Sequence, residues 1–304
     1  MSKYFLKKIE LFLFTIYLCA TTIFFVSRLA PSDPVEVILG ENASFEAKEE
    51  LKRELNLDKP LLLQYSFFLK SLLTFNFGNS ISTKRSILKE ISEAFPETLK
   101  VGFLSFLFSL FLSIFMGLLA SIKQGKFFDK VFAIVSSFMI VSPSFLLGPI
   151  LLIIFAVKFP LFPIGGDESL WSYILPAFVL SVPFSGYSAR VLRTSLLEEK
   201  SKPYFIASFE KGLSLKKVFL KHLLPNSLLP YVQISGIHLG NLLTGAIIVE
   251  KVFRINGIGS LLVRSVFTRD YPLLTILIIL FSLVYLFGNI FADFVSTLID
   301  PRLR

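Results

Sequence analysis

A chain of 304 residues that is 54% apolar and only 17% charged, with 35 phenylalanines, lacks the polar surface that a soluble domain of this length needs. Its mean hydropathy is +0.71. The apolar runs are long and do not alternate, which fits helices in lipid and not a barrel. The net charge of +9 would raise nucleic acid as a partner of a soluble protein. Here basic loops beside apolar spans account for it, and no groove-reading helix or aromatic-basic module stands out. The lone Cys19 lies in an apolar run and cannot form an internal disulfide.

Six segments of about 20 residues qualify as membrane spans: 9–29, 98–122, 131–156, 173–191, 228–250 and 273–296. The first has a basic start at Lys3, Lys7 and Lys8, as a signal peptide would. No small-x-small cleavage site follows it, the run continues through Phe25 and Val26, and Tyr17-Leu18 before Cys19 does not suit a lipoprotein site. It reads as an uncleaved span. Pro31 and Pro34 end it. Residues 30–97 then form an external segment, in which Ser44 to Leu55 predicts a polar, amphipathic helix with Ser44 as N-cap.

The third and sixth spans are the clearest. The fourth is interrupted by Pro176, Pro183 and Gly186, and such breaks either line a cavity or make a packing kink. Lysines and arginines set the orientation. An inside N-terminus puts Lys123, Lys126 and Lys130, then Arg190, Arg193, Lys200, Lys202, Lys211, Lys216, Lys217 and Lys221, and finally Arg302 and Arg304 in the cytoplasm. The outer loop 157–172 holds only Lys158. The outer loop 251–272 runs against the rule, with Lys251, Arg254, Arg264 and Arg269. The balance places both termini inside.

The long inner loop 192–227 reads as two short helices with a break at Gly212. Gly212 supplies a C-terminal cap or sharp turn. Ser214 caps the next helix, on which Leu215, Val218, Phe219 and His222 share a face, and Pro225 stops it. Such a hairpin presents an apolar ridge with basic edges, suited to a groove on a partner protein or to an anionic lipid surface.

This loop resembles the EAA loop of bacterial ABC importer permeases. It matches that pattern at Ala207, Gly212, Leu224 and Pro225, and departs from it at Ile206, Ser208 and His222. The whole chain is similar to the dipeptide, oligopeptide and nickel permease family. The shared stretches are Arg28 to Pro34, Leu55 to Pro60 before Gln64-Tyr65, Asn76 to Ser80, Phe95 to Leu99, Ala207 to Pro230, Glu250 to Gly259, Arg269 to Pro272 and Asp300 to Arg302. Ser32 and Asn256 stand where Gly and Pro are usual.

The resemblance implies an all-α, multi-pass protein of a bacterial inner membrane, forming half of a translocation path. Residues 1–97 would carry the first span and the external segment, 98–296 the core with the coupling loop, and 297–304 a cytoplasmic tail. Ala207, Gly212, Leu213, Leu224 and Pro225 would couple to ATPase motion, rotating spans three to five. The implied partners are a second homologous permease, two cytoplasmic ATPases and an external solute-binding protein. The chain has no nucleotide-cradling glycine loop, so ATP would be used by the partners and no cofactor bound here.

The family carries peptides or nickel. His238, in Gly236-Ile-His-Leu-Gly240, is an imidazole that suits nickel as one contact along a path, or a packing residue bonded to a backbone carbonyl. The reading inclines to nickel or a nickel chelate, with di- or oligopeptide as the alternative. His238, Glu250 and Asp293 are the ionisable candidates inside spans. They form no recognisable catalytic set, so a membrane-embedded enzyme is the remote alternative.

Overall fold

Helices make up the regular structure of the computed structural model, which describes residues 2–28, 35, 39–40, 43–54, 56–210 and 212–299. They are α1 (Ser2–Arg28), α2 (Phe45–Glu54), α3 (Leu61–Leu73), α4 (Ile87–Ile122), α5 (Phe127–Val141), α6 (Ser144–Leu152), α7 (Trp171–Ser201), α8 (Pro203–Glu210), α9 (Leu215–Val218), α10 (Leu224–Val252), α11 (Ile258–Phe267) and α12 (Tyr271–Ile299). The only extended pairing among these residues is an isolated bridge between Asn79 and Ser86. The protein is an all-α, multi-pass membrane protein. Pro31, Pro34 and Lys211, the Leu29–Pro34 part of the first shared stretch, Leu55, and the tail from Asp300 to Arg304 lie outside the described residues.

Four helices are long and apolar enough to cross a bilayer: α1, α4, α7 and α12. The bent pair α5–α6 makes a fifth. The expected span 228–250 lies in α10, which at 29 residues is about 43 Å long. It carries Asn226, Gln233, His238 and Asn241 along its length. The expected break in the fourth span does not occur, because α7 runs unbroken through Pro176 and Pro183. Its neighbours hold it on several sides, and the hydroxyls of Ser181 and Ser185 bond to the carbonyls of Phe178 and Ser181 on the turns around Pro183.

The break falls instead in the third span, one of the two that are clearest by sequence. The chain bends by 101° between α5 and the helix that starts at Ser144. Pro143 has no N–H and forces Ser142 out of the helical region, to ψ 111°. Past Pro149, α6 widens into a π turn at Ile153–Lys158.

α7 is the axis of the bundle. It packs along α4, α5 and α10, while α12 covers α10, and α1 lies against α12. The α4 face toward α7 is a ladder of small buried residues: Ser105, Ser109, Ser113, Gly117 and Ser121. Four-residue spacing keeps them on one side, and their size lets the backbones approach. A Cβ on Gly117 would sit 2.9 Å from the Ala189 carbonyl oxygen. The opposite face of α4 carries exposed Phe103, Leu107, Phe111 and Phe115, which suit lipid.

α2 begins as expected. The Ala47 N–H donates to Ser44 Oγ at 3.3 Å, and the Lys48 N–H to the Ser44 carbonyl at 3.1 Å. The division drawn at residue 97 falls inside α4, which starts ten residues earlier and runs through Pro96.

At the end of the bundle holding the α4 N-terminus, buried Asp270 closes the α11–α12 turn. Its carboxylate accepts from Ser80 Oγ at 2.5 Å, Ser82 Oγ at 3.0 Å, the Ser82 N–H at 3.1 Å and the Leu273 N–H at 3.3 Å. Burial alone would raise its pKa. These hydrogen bonds outweigh burial and hold the carboxyl below its ordinary range. A depressed carboxyl stabilises the fold above the unfolded pKa of about 3.9, and that share is lost as pH falls through the lower folded value. Unfolding in detergent between pH 6 and 3 is expected to show less loss for Asp270→Asn than for the native chain. Parallel curves would rule this out.

Candidate functional site

The hairpin 203–223 hangs beneath the C-terminus of α7 and the N-terminus of α10. Gly212 ends α8 with φ +73°, in the left-handed region where a glycine is unstrained. The Leu213 N–H returns to the Ser208 carbonyl at 3.3 Å, the long bond of a Schellman turn. The expected glycine turn is therefore present. Nothing lies within 4 Å of where a Gly212 Cβ would sit, so this turn projects into open space. Ala207, Leu213 and Leu224 are half-buried, while Gly212 and Pro225 are exposed.

Two expectations for the second helix fail. Pro225 does not stop it. A π turn over Phe219–Leu223 carries the chain into α10, whose first turn holds Pro225. There the missing N–H costs nothing, and the Leu224 N–H reaches back to the Phe219 carbonyl. Nor does the apolar face form an open ridge. Val218 and Leu223 are fully buried, and Phe219 packs with Phe205 on Leu192, Leu196 and Tyr231. The exposed side consists of Gly212, Ser214, Lys217, Leu220 and Lys221. The side chains of Ile206, Leu215 and Lys216 are not among those described. Ser214 starts α9 through its carbonyl, which accepts from the Val218 N–H at 3.0 Å.

Sequence reasoning missed the residues that anchor this hairpin. Glu199, at the end of α7, accepts from the Tyr204 hydroxyl and pairs with Lys202. Asn226 Nδ2 donates to Tyr204 Oη at 3.4 Å. Burial and the Glu199 carboxylate push the Tyr204 phenol up, so it keeps its proton and donates at neutral pH. Lys200 Nζ donates to the Ser121 carbonyl at 2.7 Å, tying α7 to the end of α4. Arg193 grips Asp129 with two bonds of 2.7 and 2.8 Å, tying α7 to α5. The hairpin is therefore bonded directly to α7 and α10, and through α7 to α4 and α5. Tyr204→Phe is expected to speed amide exchange across residues 204–213 several-fold with α7 unaffected. Equal exchange in both proteins would show that the phenol holds nothing.

His238 is buried where α10 meets α7. Its Nδ1 lies 3.2 Å from Ser188 Oγ, and the Phe184 and Tyr187 rings lie 4.7 and 5.7 Å from the imidazole. Gly236 and Gly240 flank it and press α10 onto Ala292 and Tyr285 of α12. The hydrogen-bond partner is thus a serine hydroxyl, not the backbone carbonyl considered above. No group of three or more His, Cys, Asp or Glu side chains that could hold a metal occurs among the described residues. Asp293 is half-buried on α12 and has an interaction partner.

Glu250 is fully buried. It accepts from Thr98 Oγ1 at 2.6 Å and from the Ser260 N–H at 2.9 Å, while Thr98 Oγ1 accepts the Ile258 N–H at 2.8 Å. The N-cap of α11 is Gly257, which has no side chain to meet the free N–H groups of the first turn. Glu250 and Thr98 serve that role from two other helices. Asn256, where the family usually has proline, uses its amide to reach Asp167 Oδ2 at 3.0 Å.

Comparison with known proteins places this geometry. The solved inward-facing MetNI methionine ABC transporter shares the fold, with a TM-score of 0.57 over 69% of this chain and 96% of that one, at 19% identity. A probable peptide ABC transporter permease of Sinorhizobium fredii is 32% identical across 100% of both chains. The glutathione transport system permease protein GsiC of Salmonella typhi is 33% identical over 100% of this chain and 99% of its own. Residues 1–102 match the N-terminal model of binding-protein-dependent transport system membrane components, and residues 109–304 match the model of the inner membrane component itself. The chain belongs to the family of binding-protein-dependent transport system inner membrane components: it is an ABC importer permease subunit, not itself an enzyme.

Proposed function

We propose that this permease forms half of the path of an ATP-driven importer of short peptides. It pairs with a second, homologous permease. Two ATPases dock from the cytoplasm on the hairpin around Gly212, and an external binding protein delivers the solute. The ATP is used by those partners. Both termini lie in the cytoplasm, which puts the hairpin inside and the α11 end outside.

The exposed Gly212 turn carries this reading, because it stands on a hairpin bonded to both α7 and α10. A push on it reaches α7 and α10 as rigid bodies, as alternating access requires. Leu213 follows the turn directly, while Ala207 lies in α8 and Leu224 and Pro225 begin α10.

For the solute, the relatives named for peptide and glutathione transport support peptides over nickel. The nickel reading rested on His238, whose ring is engaged by Ser188 and two aromatic rings. His238 is then a residue beside the path that sets the α7–α10 spacing. The test is uptake in cells lacking the gene and in cells with it restored, using labelled dipeptide, glutathione and nickel. Gene-dependent uptake of a peptide alone supports the proposal. Gene-dependent uptake of nickel that ignores peptide overturns it and makes His238→Ala the next variant.

A further inference from the structure

Three of the four basic residues that break the charge rule in the 251–272 loop converge on one place. A cavity of about 720 Å³ opens between the first turns of α4 and the α10–α11 connection, and Lys251, Arg254 and Arg264 all line it. That volume is within the roughly 300–1,000 Å³ of small-ligand pockets. It lies at the end of α10 opposite the Gly212 hairpin.

The acids of this cavity are already engaged. Glu90 accepts from Arg264 and from Thr83. Glu93 holds Arg85 at 2.7 Å. Glu97 holds Lys100 at 2.8 Å and accepts from the Tyr173 hydroxyl. Asp167 takes the Asn256 amide. Lys251 and Arg254 are both exposed, and neither has a carboxylate partner among the described residues. The Asn256 amide carries no charge, so Asp167 leaves one negative charge against the two cations Lys251 and Arg254, and the balance of the unpaired groups is positive by one.

The backbone aims one of these two. Arg254 ends α10 with φ +54°, and the Ile255 N–H returns to the Glu250 carbonyl at 2.9 Å. This is the glycine position of a Schellman turn, held here by an arginine. Behind it the Gly166 N–H bonds the Phe253 carbonyl at 3.0 Å, and Gly165 packs on the same group. The turn is fixed from behind, and Arg254 lines the cavity.

We propose that this cavity is an outer subsite that takes the carboxylate of the solute, with Lys251 and Arg254 as its binding groups. It rests on the peptide reading above. The concave shape favours a small carboxylate over an acidic surface of the binding protein.

The test uses the complete permease and ATPase complex in nanodiscs. Saturation-transfer NMR probes trialanine and trialanine amide, first without the binding protein. The expected result is transfer to trialanine, at least five-fold less to the amide, and loss of the trialanine signal in Lys251→Gln/Arg254→Gln. Lys251→Arg/Arg254→Lys should retain it. Arg254→Gly separates binding from backbone, since it relieves the positive φ and should raise the unfolding temperature while weakening the trialanine signal. Equal transfer to acid and amide, or none to either, overturns the subsite. So does a double variant that keeps its trialanine signal but no longer retains the binding protein in a pull-down, which would assign the two cations to protein docking. If cells import peptide while the acid and amide behave alike, only this inference fails. If cells import no peptide, the functional reading beneath it fails.

Discussion

Glu250→Ala is expected to cost about 3 kcal/mol or more of stability, because it strips a buried network that serves three segments. The carboxylate is fully buried. Removing it leaves the Thr98 hydroxyl and the Ser260 N–H without their acceptor, at about 1–3 kcal/mol for each unmet group. A cavity is added where Gly257 and Gly259 now press against the carboxylate. Glu250→Gln keeps one acceptor oxygen but turns an NH₂ toward a donor, so about 1–2 kcal/mol is expected. Thr98→Val keeps the shape and leaves the Ile258 N–H unmet. Because the two side chains act on one helix terminus, Thr98→Val/Glu250→Ala should lose less than the sum of the single changes. Thermal unfolding of the four proteins in detergent reads all of this. Full additivity would mean that the side chains cap α11 independently.

The same network marks what a sequence can and cannot disclose. Ser44, Gly212 and the apolar runs act through neighbours within a few positions, so cap, turn and spans were legible. Glu250 and Thr98 lie 152 positions apart in the chain, and no periodicity announces such a pair. Glu250 therefore read only as one of three ionisable candidates in the spans, and its buried capping role gave no sign. The break at Pro143 was lost because the flanking residues are apolar, and average hydropathy does not register a bend. Pro183 drew attention that Pro143 warranted. A proline's effect depends on whether packed neighbours hold the helix, and only the fold supplies that. The ladder Ser105, Ser109, Ser113, Gly117 and Ser121 was present at regular spacing. It went unread because polar residues in a span suggest a path before they suggest close packing. Tyr204 and Glu199 gave no signal, since a hydrogen bond between a helix end and the next turn has no fixed spacing.

Gly212→Val is expected to abolish solute uptake while leaving membrane insertion and the rest of the fold intact. Crowding is not the reason, since a Cβ there meets nothing within 4 Å. The backbone is, since φ is +73°, where an L-residue costs about 1–2 kcal/mol and a β-branched one more. That is too little to unfold a bundle held by buried helix contacts. It is enough to unwind the Leu213–Ser208 turn bond and tilt α8 off Glu199. A graded series follows. Gly212→Asn, which tolerates the left-handed region, should keep most uptake. Gly212→Ala should lose an intermediate share, and Gly212→Val nearly all. ATPase retention in a pull-down should fall in the same order, because the turn is the proposed docking point. Uptake lost with ATPase retention unchanged would place the defect in the transmission from α8 to α7. Normal uptake in Gly212→Val would remove this turn from the coupling path.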